Sequence, residues 1–520
     1  MKIIKNIWDE ISTYKWTGIQ PSIPYDTAWA ASVRDNQNNP LFPDAVSWVK
    51  DHQNTDGSWG FQKPYFFVCE QLTATLASLR ALVLVDKNKF AKEIDKGVNY
   101  LNENISKIDS HLQKDNVKTV GFEFIFPSLL KNLESTLDFS FNTSKYNSLM
   151  EHKLRKLPLS IITRTKTPLL YSIEFMDKLD PNLDLNFDYL LSKDGSISSS
   201  PSASAFYLSH KPKTSDFIYN YMKNSQNYDG GFPAYTSGGL FSIAYSLYIM
   251  QKTYGHIPKD LMYLLRYLDL NWTPMGIGIG ESFVIQDLDD TALSLKLLSD
   301  GHFLTPRKEK MYWNVLDSYF KDQGGYFITF PFEDDPSYLV NLHVLEALKS
   351  NKNKKALYFD SLVRFLEKEF RKNSSFSEDK YYYSPYLQNS RALMIFSDVN
   401  SELSTRLLNW FINAQRDDGL WGGSPNVEEL SQVIQALSYY NYNVERIDLS
   451  ILEPAVSFIE KNIREKDSQF LWIAKSFFAP TEVVNANLIS ALAMYDHCVN
   501  KQRSSFLGKV IPNNVYGLIR

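Results

Sequence analysis

Acids crowd against an apolar run at one place in this 520-residue chain, IQDLDDTALSL, from Ile285 to Leu295. Asp287, Asp289 and Asp290 fall within four positions. Like charges this close repel one another. One or two aspartates would cap a helix and suit its dipole; three exceed that need. Two chemical uses stand open. Carboxylate oxygens hold hard cations. Alternatively, clustered and partly buried carboxylates cannot all ionise, so at least one keeps its proton above the ordinary value of about 4. The helix dipole opposes that rise, and the titration belongs to the cluster.

The elements that must position these acids are helices. Apolar residues recur at helical spacing in 43–53, 70–85, 240–255, 289–301, 338–350, 390–399, 429–441 and 483–498, with Gly, Asn, Asp and Pro between them. FIFPSLL and GYFITFPF are the few candidates for extended pieces. The expected fold class is all-α. One element recurs: QNTDGSWG from Gln53, QNYDGGFP from Gln226 and QRDDGLWG from Gln415, with DQGGYF at 322–327 a weaker relative. Gly follows Gln by four and an aromatic by six: Trp59, Phe232 and Trp421. The Gly supplies a left-handed helix end, the Asp steadies the turn, and the aromatic fills the gap to the next helix. Such turns join helical hairpins into a ring, an α/α toroid, and two rings are expected.

Composition narrows the function. The 31 Tyr, 33 Phe and 10 Trp suit either large cores or a large apolar cavity. A net charge of −4 gives no reason to expect a nucleic-acid partner. Cys69 and Cys498 form neither a disulfide framework nor a metal-site spacing. No transmembrane segment is expected. The opening MKIIKNIWDEISTYKW has no long apolar stretch, so no leader is expected and a cytoplasmic setting is.

The acids reach a resemblance. DLDDTA (287–292) resembles the DxDDTA motif of class II terpene cyclases, which start cyclisation by protonating an alkene or epoxide. IPYDTAWAA (23–31) is similar to that family's AYDTAW segment, and the Gln–Trp repeats to its QW motifs. VGFEFIFPSLL (120–130), TPLLYSIEF (167–175), DGSISSSPSASA (194–205), DKYYYSPYLQNSRAL (379–393) and LWIAKSFFAPTEVV (471–484) also resemble family blocks, in the family's order. The resemblance covers most of the chain. It implies a βγ pair of α/α toroids with the site between them, of bacterial type and without a third domain. The family's chain path implies a γ domain at 36–235 inserted after the first helix of β, which takes 1–35 and 236–520.

The resemblance also implies roles. Asp289 is the proton donor, tuned by Asp287 and Asp290. Asn341 in YLVNLHVLEA matches an asparagine that orients the acid. Tyr383, Tyr386, Trp421, Trp472 and Phe478 lie in blocks that supply cavity aromatics, whose faces stabilise a carbocation without attacking it. Lys153 and Lys380 match diphosphate contacts. Asp109, before GFE, matches an acidic Mg²⁺ motif. Where plant ent-copalyl enzymes keep a His and an Asn as a terminal base, this chain has Tyr171 and Ala234. Tyr171 then either takes the last proton or shapes the cavity. The family's DKWHxSPYY has become DKYYYSPYL. There is no DDxxD, and DDPSY (334–338) lacks its last acid. A separate class I synthase is therefore the expected downstream partner.

The function this implies is cyclisation of geranylgeranyl diphosphate to a bicyclic labdane-, halimane- or clerodane-type diphosphate. The alternatives are a farnesyl diphosphate cyclase giving a drimane-type product, a squalene–hopene-type triterpene cyclase, and a non-catalytic toroid that only binds.

Overall fold

A helix that is apolar on nearly every side has to be surrounded by other helices. Gly239–Tyr254 is buried at every residue from Gly239 to Met250, and Tyr338–Leu348 at every residue from Leu339 to Leu348. Ten helices of this inner kind, in a computed structural model describing residues 16–62, 65–113, 117–156, 167–177, 190–210, 216–283, 285–331, 333–377, 379–463 and 470–500, make two rings.

In the first ring α1 (Pro24–Ala31) packs on α2 (Val68–Asp86), and α2 on α3 (Phe122–Leu133). A 3-10 segment, Pro168–Met176, follows, then α4 (Pro201–His210), which closes back on α1. The second ring runs α5 (Gly239–Tyr254), α6 (Leu288–Asp300), α7 (Tyr338–Leu348), α8 (Pro385–Phe396), α9 (Val427–Asn443) and α10 (Thr481–Asn500), and α10 returns to α5. Amphipathic helices such as Ala91–Asn104, Lys352–Asn373, Ser401–Asn413 and Glu453–Asn462 back the inner ones. α2 is long and apolar enough to cross a membrane, yet it is an inner ring helix and mostly buried. The expected all-α double toroid is therefore observed, with only two-residue strands among the described residues.

The expected boundary at residue 36 is corrected. α1 belongs to the first ring, through α2 and α4. The chain leaves the second ring before α1: Trp16 packs in the second core, and the Gly18 amide donates to Glu482 Oε2 at 3.1 Å. Ile23 N already donates to Phe232 O at 2.8 Å. Residues 1–15 of the expected β domain lie outside the described residues.

The repeated turns behave as their composition requires. Gly57, Gly230 and Gly419 have φ of 92°, 87° and 78°, a region that favours glycine. Asp56, Asp229 and Asp418 accept from the amides of Ser58, Gly231 and Leu420. The Gln415 amide donates to Gly419 O at 2.9 Å and to Ile451 O at 2.8 Å, tying its turn to the next outer helix. Gln53 does the same with Gly57 O and Glu93 O. The Trp421 and Trp59 indoles donate back to Phe411 O and Val49 O.

A short hairpin couples the rings. Trp472 pairs with Phe478 and Ile473 with Phe477, and the loop 381–383 continues the ladder, Ile473 N donating to Tyr381 O at 2.9 Å. Lys475 near its tip is buried in the first ring. Its Nζ donates to Glu174 Oε1 at 2.8 Å, Tyr171 O at 2.7 Å, Ser200 Oγ at 2.6 Å and Ser202 Oγ. Asp26 lies 4.0 Å away. Removing one partner of a buried ion pair leaves the other charge uncompensated. Lys475→Met is expected to destabilise the fold by about 3–5 kcal/mol, read as a lower urea midpoint; a midpoint within error of wild type would refute this role.

Candidate active site

The acid stretch begins α6. Asp287 is extended, with φ −123° and ψ 159°, and its Oδ1 accepts from Asp290 N at 2.8 Å. Asp287 is thus the N-cap, and the turn is strapped by Leu288 N to Thr329 O at 3.0 Å and by Thr291 Oγ1 to the backbone of Ile277. All three aspartates face a cavity of about 1520 Å³. Its walls come from both rings: Phe124, Tyr171 and Tyr235 from the first and Tyr381 from the second, with Trp472 from the hairpin that couples them.

The three acids are not equivalent. Asp287 and Asp290 are 4% and 1% exposed. Burial pushes Asp287 up to about 7, against its hydrogen bonds to the start of α6. Burial, then the charges of Asp287 and Asp289, push Asp290 well above the carboxylate range. Asp289 keeps 17% of its side chain exposed and has the two specific partners. The Tyr245 hydroxyl donates to Asp289 Oδ2, and His343 Nδ1 lies 2.6 Å from Asp289 Oδ1. His343 is fully buried, and its Nε2 has no hydrogen-bond partner. A proton on Nδ1 leaves Nε2 a bare lone pair, whereas a proton on Nε2 would be a buried donor without an acceptor. His343 is therefore a donor to Asp289. Burial and the Asp289 charge hold the Tyr245 phenol far above its usual range, so it too remains a donor. Two donors aimed at its two oxygens would stabilise a carboxylate at Asp289.

Several expected residues stand elsewhere. Asn341 does not orient the acid. Its Oδ1 accepts from Phe327 N at 2.8 Å, and its Nδ2 donates to Phe327 O and Ser337 O. Residues two apart on a helix face different sides, so Asn341 serves the 326–328 segment while His343 faces Asp289. Tyr383, Trp472 and Phe478 line the cavity as expected. Tyr386 and Trp421 do not: Tyr386 OH accepts from Gly422 N at 3.0 Å, and Trp421 is wholly buried at its repeat turn. Phe241 and Phe283 line the cavity without having been singled out. They, Tyr245 and His343 sit in stretches whose sequence carries no sign beyond apolarity.

Tyr171 lines the cavity, and its hydroxyl donates to Ala234 O at 3.0 Å. Burial holds the phenol neutral, and Lys475 Nζ lies 4.4 Å from its ring centroid. A neutral phenol next to an ammonium is a poor proton acceptor, so Tyr171 shapes the wall. Lys153 and Lys380 both line the cavity, from different rings. Lys153 Nζ stands 3.7 Å from Glu123, and Lys380 donates to Glu333 at 2.7 Å and to Asp335 O at 2.7 Å. Asp109 is outside the cavity lining and is held by Lys145 at 2.5 Å and by the Tyr146 hydroxyl. It does not fit the expected Mg²⁺ site. Among the described residues no group of three or more His, Cys, Asp or Glu stands ready to hold a metal.

The raised Asp287 has a consequence for stability. Folding favours its protonated form, so this contribution is complete below about pH 4 and is lost as pH rises to about 7. Asp287→Asn keeps an N-cap side chain and carries no such charge. Relative to wild type, the variant is expected to gain about 2 kcal/mol between pH 5 and pH 8, measured by urea unfolding at each pH. A pH-independent difference would refute the buried-acid assignment.

No protein-family model matches the chain. It is 29% identical over 493 residues to a Type B diterpene cyclase of Mycobacterium tuberculosis, covering 91% of this chain and 96% of that protein. A chloroplastic copalyl diphosphate synthase of Salvia miltiorrhiza is 30% identical over 344 residues, 63% of this chain and 40% of that longer protein. The ent-copalyl diphosphate synthase structure from Streptomyces platensis superposes with a TM-score of 0.73 at 20% identity, covering 95% of this chain and 99% of that one. The likeness therefore runs along nearly the whole of one diterpene cyclase, and the two-ring fold is shared with the Streptomyces structure.

Proposed function

We propose that the protein cyclises geranylgeranyl diphosphate to a bicyclic diterpenyl diphosphate, starting from protonation by Asp289. The observation that carries this is Asp289 itself, reaching an aromatic cavity while Tyr245 and His343 donate to its two oxygens. The relatives are named for diterpene cyclisation and for copalyl diphosphate, which supports a twenty-carbon substrate. The cavity is larger than the roughly 300–1,000 Å³ common for small-molecule sites.

An alkene is a very weak base, so its protonation needs a positioned acid and a site closed to water. The Asp289 proton adds to one carbon of the terminal alkene and leaves the charge on the other. Neighbouring alkenes attack in turn, each closing a ring and passing the charge on. Loss of a proton restores an alkene, so the product is an isomer of the substrate and the diphosphate is retained. Phe241, Trp472, Phe478 and Tyr383 offer ring faces to the cation. Tyr171 offers no base beside Ala234, which favours hydride and methyl shifts, and hence halimane or clerodane skeletons, over immediate proton loss. Lys153 and Lys380 are placed to meet the diphosphate. Magnesium enters only as an ion carried on that diphosphate, since Mg²⁺ commonly binds through substrate phosphates. A cytoplasmic setting and a class I synthase that consumes the product belong to the same proposal.

The test is incubation with geranylgeranyl or farnesyl diphosphate and Mg²⁺, then phosphatase and product analysis. A cyclic diterpenol is expected. No cyclic product from either substrate would sink the proposal, and turnover of farnesyl diphosphate alone would replace the substrate. Asp289→Asn is expected to lower kcat at least about 10³-fold, and His343→Phe about 10²-fold. Wild-type turnover by Asp289→Asn would overturn the acid.

A further inference from the structure

The Trp472 indole is part of the cavity wall. It stands edge to face against Tyr245, the phenol that donates to Asp289, with centroids 5.3 Å apart. It meets Phe241 at 5.3 Å and Tyr382 at 5.0 Å in the same manner. Trp472 sits on a two-residue strand, which holds its backbone but leaves the plane of the ring undetermined. Its polar end is what is tied down: Nε1 donates to Glu428 Oε1 at 2.9 Å.

Glu428 lies in the first turn of α9 and is completely buried. It does not line the cavity. Capping of α9 is already done by Asn426, whose Oδ1 accepts from the amides of Glu428 and Glu429. Burial pushes the Glu428 carboxyl up to about 8, so near neutrality it is mostly the uncharged acid, accepting the indole proton through a carbonyl-like oxygen. Gln432 Nε2 also reaches its Oε1, at 3.5 Å, and the Tyr382 phenol bonds the same carboxyl, but neither lines the cavity. A buried carboxyl is costly to keep, and the one strong bond it makes to the cavity wall is the bond to Trp472.

We infer that Glu428 is a positioning residue for the cyclisation. It fixes the plane of the Trp472 indole beside the acid, and so sets how far the carbocation travels before it loses a proton. This rests on the cyclase reading above. A ring face stabilises a cation only within about 6 Å and in the right orientation. With the indole free to turn, the cation formed after one ring closure is held less well. Proton loss from a carbon next to that cation then returns an alkene early and gives a monocyclic isomer in place of the bicyclic one.

The test compares Glu428→Leu, Glu428→Gln, Trp472→Phe and the double variant Glu428→Leu/Trp472→Phe, assayed with geranylgeranyl diphosphate. The readouts are product ratio, kcat, KM and the Trp472 indole N–H resonance. Glu428→Leu is expected to shift that resonance, lower kcat about tenfold with KM within about twofold, and raise the monocyclic share at least about threefold. Glu428→Gln, whose amide oxygen accepts the same bond, should stay within about twofold of wild type. In the Trp472→Phe background, Glu428→Leu should add nothing, because its effect runs through the indole N–H. If Glu428→Leu does not fold, benzothienylalanine at position 472 removes the N–H and keeps the ring, and should give the same product shift. An unchanged product ratio, effects that multiply in the double variant, or no rescue by Gln would overturn the inference. Wild-type protein giving no cyclic product would instead bring down the cyclase reading itself.

Discussion

Three carboxyls at the start of one helix, taken out of water, are the constraint on which this structure turns. Burial makes ionisation of Asp287 and Asp290 expensive, and the charge of a neighbouring aspartate raises that cost further for both. The helix needs one of them as a cap, which Asp287 provides. The third, Asp289, is left to face the cavity between two donors. A single toroid cannot seal such a site, because the end of its ring is open. Residues of both rings line this one.

The joint between the rings is therefore part of the site. The hairpin 472–478 is held at its tip by Lys475 in the first ring and at its base by Glu428 in the second. Its Trp472 and Phe478 line the cavity between these anchors. Lys475 also fixes the backbone of Tyr171 and places an ammonium beside that ring. The same ion that joins the rings thus makes the far wall unsuited to taking a proton.

Reading the site in sequence worked where one local pattern carried the chemistry and failed where two helices had to meet. The acid trio and the Gln–Asp–Gly–aromatic turns are contiguous, and both stand as their residue types require. Asn341 stands out by likeness to a motif, yet His343, two residues on and on another side of the helix, is the one that meets Asp289. Tyr386 and Trp421 lie in aromatic blocks yet fill turns and outer packing. Asp109 is acidic and near a family block, yet Lys145 holds it outside the cavity lining.

By itself the sequence determined the helical class and the ring-forming turns, because these depend on spacing and backbone preference within a few residues. Only the tertiary structure decided which donors reach Asp289, which aromatics face the cavity, and that α1 closes the first ring. Those outcomes depend on which faces of helices distant in sequence come together, and on the burial that follows. No local pattern carries that information.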